Sequence, residues 1–302
     1  MMRRLALVIS LFVLAACNTD SANPMISFSD VEPPAGDAPP HDKPIRIAIA
    51  SIVSPQRNLR DYERMLQYLG RKLGRPVEVV QRSGYSECVA LLENREIDLA
   101  FVCSGPYVEA KERFGAEALV VPQVRGEGTY CAYVIARKGG PIHSFADLRG
   151  KVFAFTDPLS TTGKLYPAYL LSKLGLTAEK YFSKTIVTWG HDNSVEAVAH
   201  GLADGASVSS LVWEGLAKSK AGAASETIVV DRSPPFGMPP VVVHPRLDPE
   251  LKKKLRDVFL DMHLDPEGKT LLGQAGIERF VVGMDSSYDG VRRMRAKVAS
   301  TR

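Results

Sequence analysis

Apolar residues along most of this chain recur with two alternating periods, one of about two residues and one close to four. IRIAIA (Ile45–Ala50) is short, apolar and rich in β-branched residues, which predicts a strand. Tyr62, Met65, Leu66, Leu69 and Leu73 follow at helical spacing, and Gly74-Arg75-Pro76 stops that helix. VEVVQ (Val77–Gln81) predicts a second strand, Ser86–Asn94 a helix, and DLAFV (Asp98–Val102) a third strand. The series restarts with a strand at KVFAF (Lys151–Phe155) and a helix from Thr162 to Leu174. A strand near Ile186–Thr188, a helix over Ser194–Gly201 and a strand near Ala206–Val208 complete it. Leu251–His263 and Ser287–Val298 read as terminal amphipathic helices, and no repeat of solenoid period is present.

Strands alternating with helices at this connection length predict an α/β fold of mostly parallel sheets flanked by helices. Two such series are joined by Gly128–Lys138 and returned through Asp231–Val243, so two lobes with two crossing segments are expected. The boundaries place residues 44–132 and 235–302 in lobe 1 and residues 133–234 in lobe 2. A chain of 302 residues with 45% hydrophobic and 24% charged residues is long enough to give each lobe its own core.

The amino-terminal segment follows different rules. Arg3 and Arg4 precede an apolar run, Leu5–Ala16, that is shorter than the roughly 20 residues needed to cross a bilayer. Residues 1–16 therefore read as a signal peptide. Leu14-Ala15-Ala16-Cys17 resembles the bacterial lipobox, which makes Cys17 the expected lipidation site; the alternative is a plain signal peptide with a chance cysteine. The stretch up to about residue 43 is rich in Pro, Asp, Ser and Ala without apolar period, as in an extended tether. The expected location is extracytoplasmic, on a membrane through the lipid anchor. Charge excludes one class of partner. Thirty-eight Lys and Arg against 34 Asp and Glu give +4, and removal of Arg3 and Arg4 leaves 36 − 34 = +2. A balance so near zero does not describe a nucleic-acid-binding chain.

In open parallel sheets, ligands bind at the carboxyl ends of strands, where helix N-termini present free N–H groups. Three such ends carry chemistry: Cys103-Ser104-Gly105-Pro106-Tyr107, Thr156 to Lys164 (TDPLSTTGK), and Trp189 to Ser194 (WGHDNS). Ser160, Thr161, Thr162 and Gly163 can turn O–H and N–H donors onto one oxyanion, or they can merely cap the helix that follows. A nucleotide-binding P-loop is excluded, because no Gly stands five residues before Gly163 and Leu165 follows Lys164. His191 and Asn193 open another helix; the imidazole can donate to an anion with Asp192 orienting the ring, or belong to the core or surface. Tyr107 is either a core residue or a hydroxyl that closes over a ligand. Ser104 shares its loop.

These residues together resemble a known family. DLAFVCSGPY (Asp98–Tyr107), SFADLRGKVFAFTDPLSTTGKLYPAYLL (Ser144–Leu171), HDNSVEAVAHGLADGA (His191–Ala206) and SPPFGMPPVVV (Ser233–Val243) look like the substrate-binding proteins of phosphate, phosphite and phosphonate ABC transporters. The resemblance spans about Lys43 to Phe280. It implies a type II periplasmic-binding fold whose lobes close on a ligand. Ser160, Thr161 and Thr162 would then hold the oxyanion, with His191 and Tyr107 in support. The implied partner is an ABC permease, with no catalysis and no cofactor. Ser209 and Pro239 stand where aminophosphonate binders of the family carry acids, so the resemblance points to a small oxyanion such as phosphate or phosphite.

Four cysteines are present, Cys17, Cys88, Cys103 and Cys131, at spacings that match no zinc motif. Acylation of Cys17 leaves an odd number, hence at least one free thiol. Cys103 is a buried small hydrophobe, a soft ligand for a thiophilic oxyanion, or a disulfide partner of Cys131. Members of the resembled family that sense arsenic oxyanions supply the alternative function: a periplasmic sensor of arsenite or arsenate acting on a two-component kinase. An enzyme is the third reading; GxSxG, HExxH and paired metal motifs are missing from the sequence.

Overall fold

The computed structural model describes residues 43–50, 55–82, 84–218 and 222–301. The expected signal segment, Cys17 and nearly all of the tether lie outside the described residues. From residue 45 the chain forms β1 (Ile45–Ala50), α1 (Pro55–Leu73), β2 (Val77–Arg82), α2 (Tyr85–Glu93), β3 (Leu99–Phe101), α3 (Ser104–Phe114) and β4 (Glu117–Gln123). It crosses through the short β5 (Thr129–Tyr130) into β6 (Ala132–Arg137), β7 (Val152–Phe155), α4 (Tyr166–Lys173) and α5 (Ala178–Tyr181). Next come β8 (Lys184–Val187), α6 (His191–Ala199), β9 (Gly205–Ser209), α7 (Ser210–Ala217) and β10 (Thr227–Arg232). The return runs through β11 (Phe236–Gly237) to β12 (Val241–Val243), α8 (Pro249–Asp261), α9 (Pro266–Gln274), β13 (Arg279–Val281) and α10 (Asp289–Ala299).

Two sheets result, with strand orders β13-β4-β12-β3-β1-β2 and β10-β6-β9-β7-β8. In the first, β1 pairs in parallel with β2 and β3, and β12 inserts antiparallel between β3 and β4. In the second, β7 lies parallel to β8 and β9, and β6 inserts antiparallel between β9 and β10. Most strands of each sheet thus point one way, as expected. The inserted strands are those that leave or enter the crossings directly, without a helix to turn them round. The crossings β5 and β11 pair with each other, Tyr130 opposite Phe236, as a two-stranded ribbon between the sheets.

Both faces of the first sheet are covered, and β1 illustrates why its residues are almost all apolar. Ile45, Ile47 and Ile49 enter one core with Leu66, Leu69, Leu255 and Phe259, contributed by α1 and α8. Ala48 and Ala50 face a second core that runs on through Tyr85, Val102, Tyr107 and Tyr130 to Phe155 and Tyr166 of the other sheet's side. The small alanines let α2 and α3 approach. Because that core is continuous across both lobes, the lobes are packed shut. The C-terminal α10 packs on α4 and α3, one from each side. The predicted helix over Thr162–Leu174 is divided: a π-helical turn, Thr161–Leu165, precedes α4. Helices α7 and α9 add to the elements expected from the sequence. Among the described residues no helix is long and apolar enough to cross a membrane.

Candidate functional site

The hydroxyl-rich loop after β7 is shaped by its own residues. Asp157 Oδ1 accepts the Leu159 amide (2.7 Å), and the Ser160 amide donates to the Asp157 carbonyl (3.0 Å). The Ser160 carbonyl then accepts from the amides of both Lys164 (3.1 Å) and Leu165 (2.9 Å), which widens the first turn into a π-turn. The Ser160 hydroxyl caps that turn by accepting from the Gly163 amide (2.9 Å). Capping and ligand reach are compatible here, since the same hydroxyl keeps its O–H to donate. Gly163 is held by space: a Cβ there would fall 1.7 Å from Thr156 Oγ1. Its amide is already donated, so its contribution is the missing side chain.

The other lobe meets this loop at the N-termini of two helices. Ser104, in the first turn of α3, shares hydrogen bonds with Thr161 Oγ1 (3.0 Å) and Tyr130 Oη (2.8 Å). Tyr130 comes from the crossing ribbon and also meets Cys103 Sγ at 3.1 Å. A Cβ on Gly105 would lie 2.5 Å from the Leu159 carbonyl, so only glycine allows α3 to press this closely on the loop. At α2, Asp157 Oδ2 accepts the Tyr85 amide (3.0 Å). Among the described residues no side chain of lobe 1 caps α2, and Asp157 does so from across the cleft. Burial raises the Asp157 pKa and the two amides oppose that shift.

His191 begins α6 and is buried. The Ser209 amide donates to its Nδ1 (3.0 Å), which leaves the hydrogen on Nε2 as a donor. Burial alone pushes its pKa down to about 3, so the ring is neutral. Asp192 is the orienting group expected from the sequence, and the hydrogen bond at Nδ1 comes from the Ser209 backbone at the end of β9.

Ser104, Ser160, Thr161 and Thr162 are fully buried, and Cys103 and His191 are buried as well. Among the described residues, the buried Thr156 Oγ1, Thr162 Oγ1 and Tyr85 Oη have no hydrogen-bond partner. Burial, then the neighbouring Cys103 and Asp157, raise the Tyr85 pKa well above the usual phenol value, so its hydroxyl stays protonated. Lys164, the cation of the loop, lies over the Phe155 ring, 3.7 Å from the centroid. The gathered groups are therefore neutral donors.

Two expected members are placed elsewhere. Asn193 is exposed, with Nδ2 donating to the Thr188 carbonyl (2.9 Å). It sits two residues beyond His191, about 200° round the helix and so on the opposite face. Tyr107 is buried, but its hydroxyl donates to Asp285 Oδ1 (2.7 Å) and its ring packs on Tyr288, centroids 4.7 Å apart. It secures the C-terminal segment. Tyr85 and Tyr130 were missed. Tyr85 follows β2 as the predicted loops follow their strands, so the rule that found those loops reaches it too. Cys88, Cys103 and Cys131 are free thiols, so the pairing of Cys103 with Cys131 is not formed.

The chain matches the family described as "ABC transporter, phosphonate, periplasmic substrate-binding protein" over residues 47–288. It is 27% identical over 277 residues to the phosphonates-binding periplasmic protein of Escherichia coli (strain K12), covering 89% of this chain and 81% of that one. It is 33% identical over 176 residues to the phosphate-import protein PhnD of Mycolicibacterium smegmatis, covering 53% and 54% of the two chains. Among solved structures, a binding-protein component of an ABC phosphonate transporter from Pseudomonas aeruginosa superposes with a TM-score of 0.80 at 25% identity, covering 86% and 88%. Two α/β lobes joined by a paired crossing, closed on buried neutral donors, and a family match over most of the sequence lead to one assignment: the chain belongs to the periplasmic substrate-binding proteins of phosphonate ABC transporters, a transport family and not an enzyme family.

Proposed function

We propose that this protein captures a phosphorus oxyanion (phosphate, phosphite or a phosphonate) between its lobes and delivers it to an ABC permease. One observation carries the reading: buried hydroxyls from both lobes gather at one place, and three of them, Tyr85 Oη, Thr156 Oγ1 and Thr162 Oγ1, lack a partner among the described residues. Ser160 Oγ, His191 Nε2–H and the hydrogen left over by the Ser104–Thr161 hydrogen bond supply the remaining donors. Each hydrogen bond to a charged oxygen contributes about 1.5–3 kcal/mol. Five or six of these, less the cost of association, correspond to micromolar to nanomolar affinity, about −8 to −12 kcal/mol. The anion completes contacts to both lobes only when they are closed, so it shifts the population toward the closed form that a permease can read. The family is extracytoplasmic, and lipidation of Cys17 would hold the body at a membrane surface.

The test is calorimetric titration of the mature protein with phosphate, phosphite, methylphosphonate, sulfate, arsenate and arsenite. Affinity is expected for at least one phosphorus oxyanion, abolished by Ser160→Ala combined with Thr161→Ala. Failure of every phosphorus oxyanion to bind overturns the reading. Binding of arsenite alone, removed by Cys103→Ser, would replace transport with oxyanion sensing. For the anchor, Cys17→Ser is expected to release the protein from the membrane fraction; retention there would refute lipidation at that residue.

A further inference from the structure

The π-turn that carries the loop's threonines leaves one of its own carbonyls short of a donor. In that turn a carbonyl takes the amide five residues on: Ser160 receives Leu165 (2.9 Å) and Thr161 receives Tyr166. The next carbonyl in this register belongs to Thr162, and the residue five on is Pro167, which has no N–H to give. The amide of Tyr166, four on, is already donated to Thr161. Thr162 is fully buried, so bulk water does not supply the missing donor.

Ser207 supplies it. Its hydroxyl donates to the Thr162 carbonyl at 2.5 Å, and Ser207 is itself fully buried in the middle of β9. Its neighbours Ala206 and Val208 enter the core that holds Val195 and Val198 of α6, so alternation along the strand turns Ser207 to the opposite face. Its cross-strand partner there is Val134, part of the core on that side. A hydroxyl in such apolar company is costly unless bonded, and the carbonyl it meets is equally costly without it. Two residues on, the Ser209 amide holds His191 at Nδ1 (3.0 Å). One strand thus fixes two groups of the cluster from behind.

We propose that Ser207 is a positioning residue for ligand binding. Its hydroxyl replaces the amide that Pro167 withholds, holds the loop in its π-turn, and so aims Thr162 Oγ1 at the anion. Pro167 and Ser207 act as a pair: the first opens a gap in the turn and the second fills it. The proposal rests on the oxyanion reading above and adds to it a residue that touches no ligand.

The experiment is a double-mutant cycle on the mature protein, read by calorimetry with phosphate, phosphite and methylphosphonate. Ser207→Ala leaves the Thr162 carbonyl unpaired. Affinity for the oxyanion that the wild type binds should then fall about tenfold to a hundredfold, the equivalent of one hydrogen bond to a charged oxygen. Pro167→Ala returns an N–H to the turn and should leave affinity within about threefold of wild type. In the presence of Pro167→Ala, Ser207→Ala should weaken binding by less than about threefold, because the carbonyl then has a backbone donor. Stoichiometry and thermal midpoint are measured for every variant: a merely structural Ser207 would lower the midpoint while the folded fraction kept its affinity. Should Ser207→Ala not fold, Ser207→Cys keeps a weak S–H donor and is expected to bind between the wild type and that loss. Unchanged affinity in the variant that folds, or a loss that Pro167→Ala does not relieve, refutes the positioning role and leaves the oxyanion reading standing. If the wild type binds no phosphorus oxyanion, both fall.

Discussion

Replacing His191 by Gln should remove a specific part of this protein's acid sensitivity. In the folded protein the ring is fully buried, and the Ser209 amide bonded to Nδ1 cannot accept a proton in return. Its pKa is held down to about 3 against 6.5 for the exposed ring. A depressed folded value means that the unfolded chain takes up the proton first. The contribution to stability is complete above pH 6.5, declines as pH falls through the window between 6.5 and about 3, and levels off below it. Integrated from about pH 7.5 to about pH 5, it amounts to about 2 kcal/mol. Glutamine retains an N–H donor and an amide oxygen for Ser209 but does not titrate. Urea unfolding at the two pH values should therefore show the wild type losing about 2 kcal/mol more than the variant over this interval. Buried carboxylates such as Asp157 contribute to both proteins and cancel in the comparison. The ratio of wild-type to variant ligand affinity should also stay constant across the same range, because the neutral ring donates at every point. Equal pH dependence of stability in both proteins, within about 0.5 kcal/mol, would refute a buried neutral imidazole and with it the uncharged character of the site.

Three other outcomes follow from the closed lobes. Gly105→Ala places a methyl 2.5 Å from the Leu159 carbonyl only when the lobes meet, so ligand affinity should fall at least about tenfold while thermal stability without ligand is unchanged; calorimetry and a thermal scan together check this. Asp157→Ala removes the cap on α2 from across the cleft, an interaction of up to about 2 kcal/mol, and should weaken binding up to about thirtyfold by isothermal titration; an unaltered affinity would show that the cap does not control closure. Trp189 is 45% exposed, and its Cζ3 lies 3.4 Å from where a Cβ on Gly84 would stand across the cleft. Its fluorescence should change on ligand binding, and Trp189→Phe should abolish that change although Trp213 remains.

The lobes and the hydroxyl loop were legible because they depend on local pattern. Alternating apolar residues specify buried strands, and the carboxyl ends of those strands are where helix N-termini converge. The side chains that finish the cluster depend on tertiary pairing. Tyr130 reaches Ser104 only because the two crossings pair as a ribbon, and Ser209 finds His191 only because β9 lies beside β7. The resemblance implies a supporting role for Tyr107, and Asn193 shares its loop with His191. Their helices then turned them away, one toward Asp285 and the other toward the Thr188 carbonyl.

The three unpartnered hydroxyls explain why a neutral cluster can couple binding to closure. A buried hydroxyl without a partner costs about 1–3 kcal/mol, so Tyr85 Oη, Thr156 Oγ1 and Thr162 Oγ1 together penalise the shut form by about 3–9 kcal/mol. Opening the lobes lets water satisfy these groups at once. An oxyanion removes the same penalty without opening them, because its oxygens accept where the protein offers no acceptor. A methyl group or an ammonium in that place could not. The differential free energy that shifts the lobes toward closure thus resides in the hydroxyls themselves. Filling the gap with an internal acceptor, as Thr156→Asp would do beside Gly163, should favour the closed form without ligand and abolish anion binding. Small-angle scattering that still reports an open, ligand-responsive variant would place the source of coupling elsewhere.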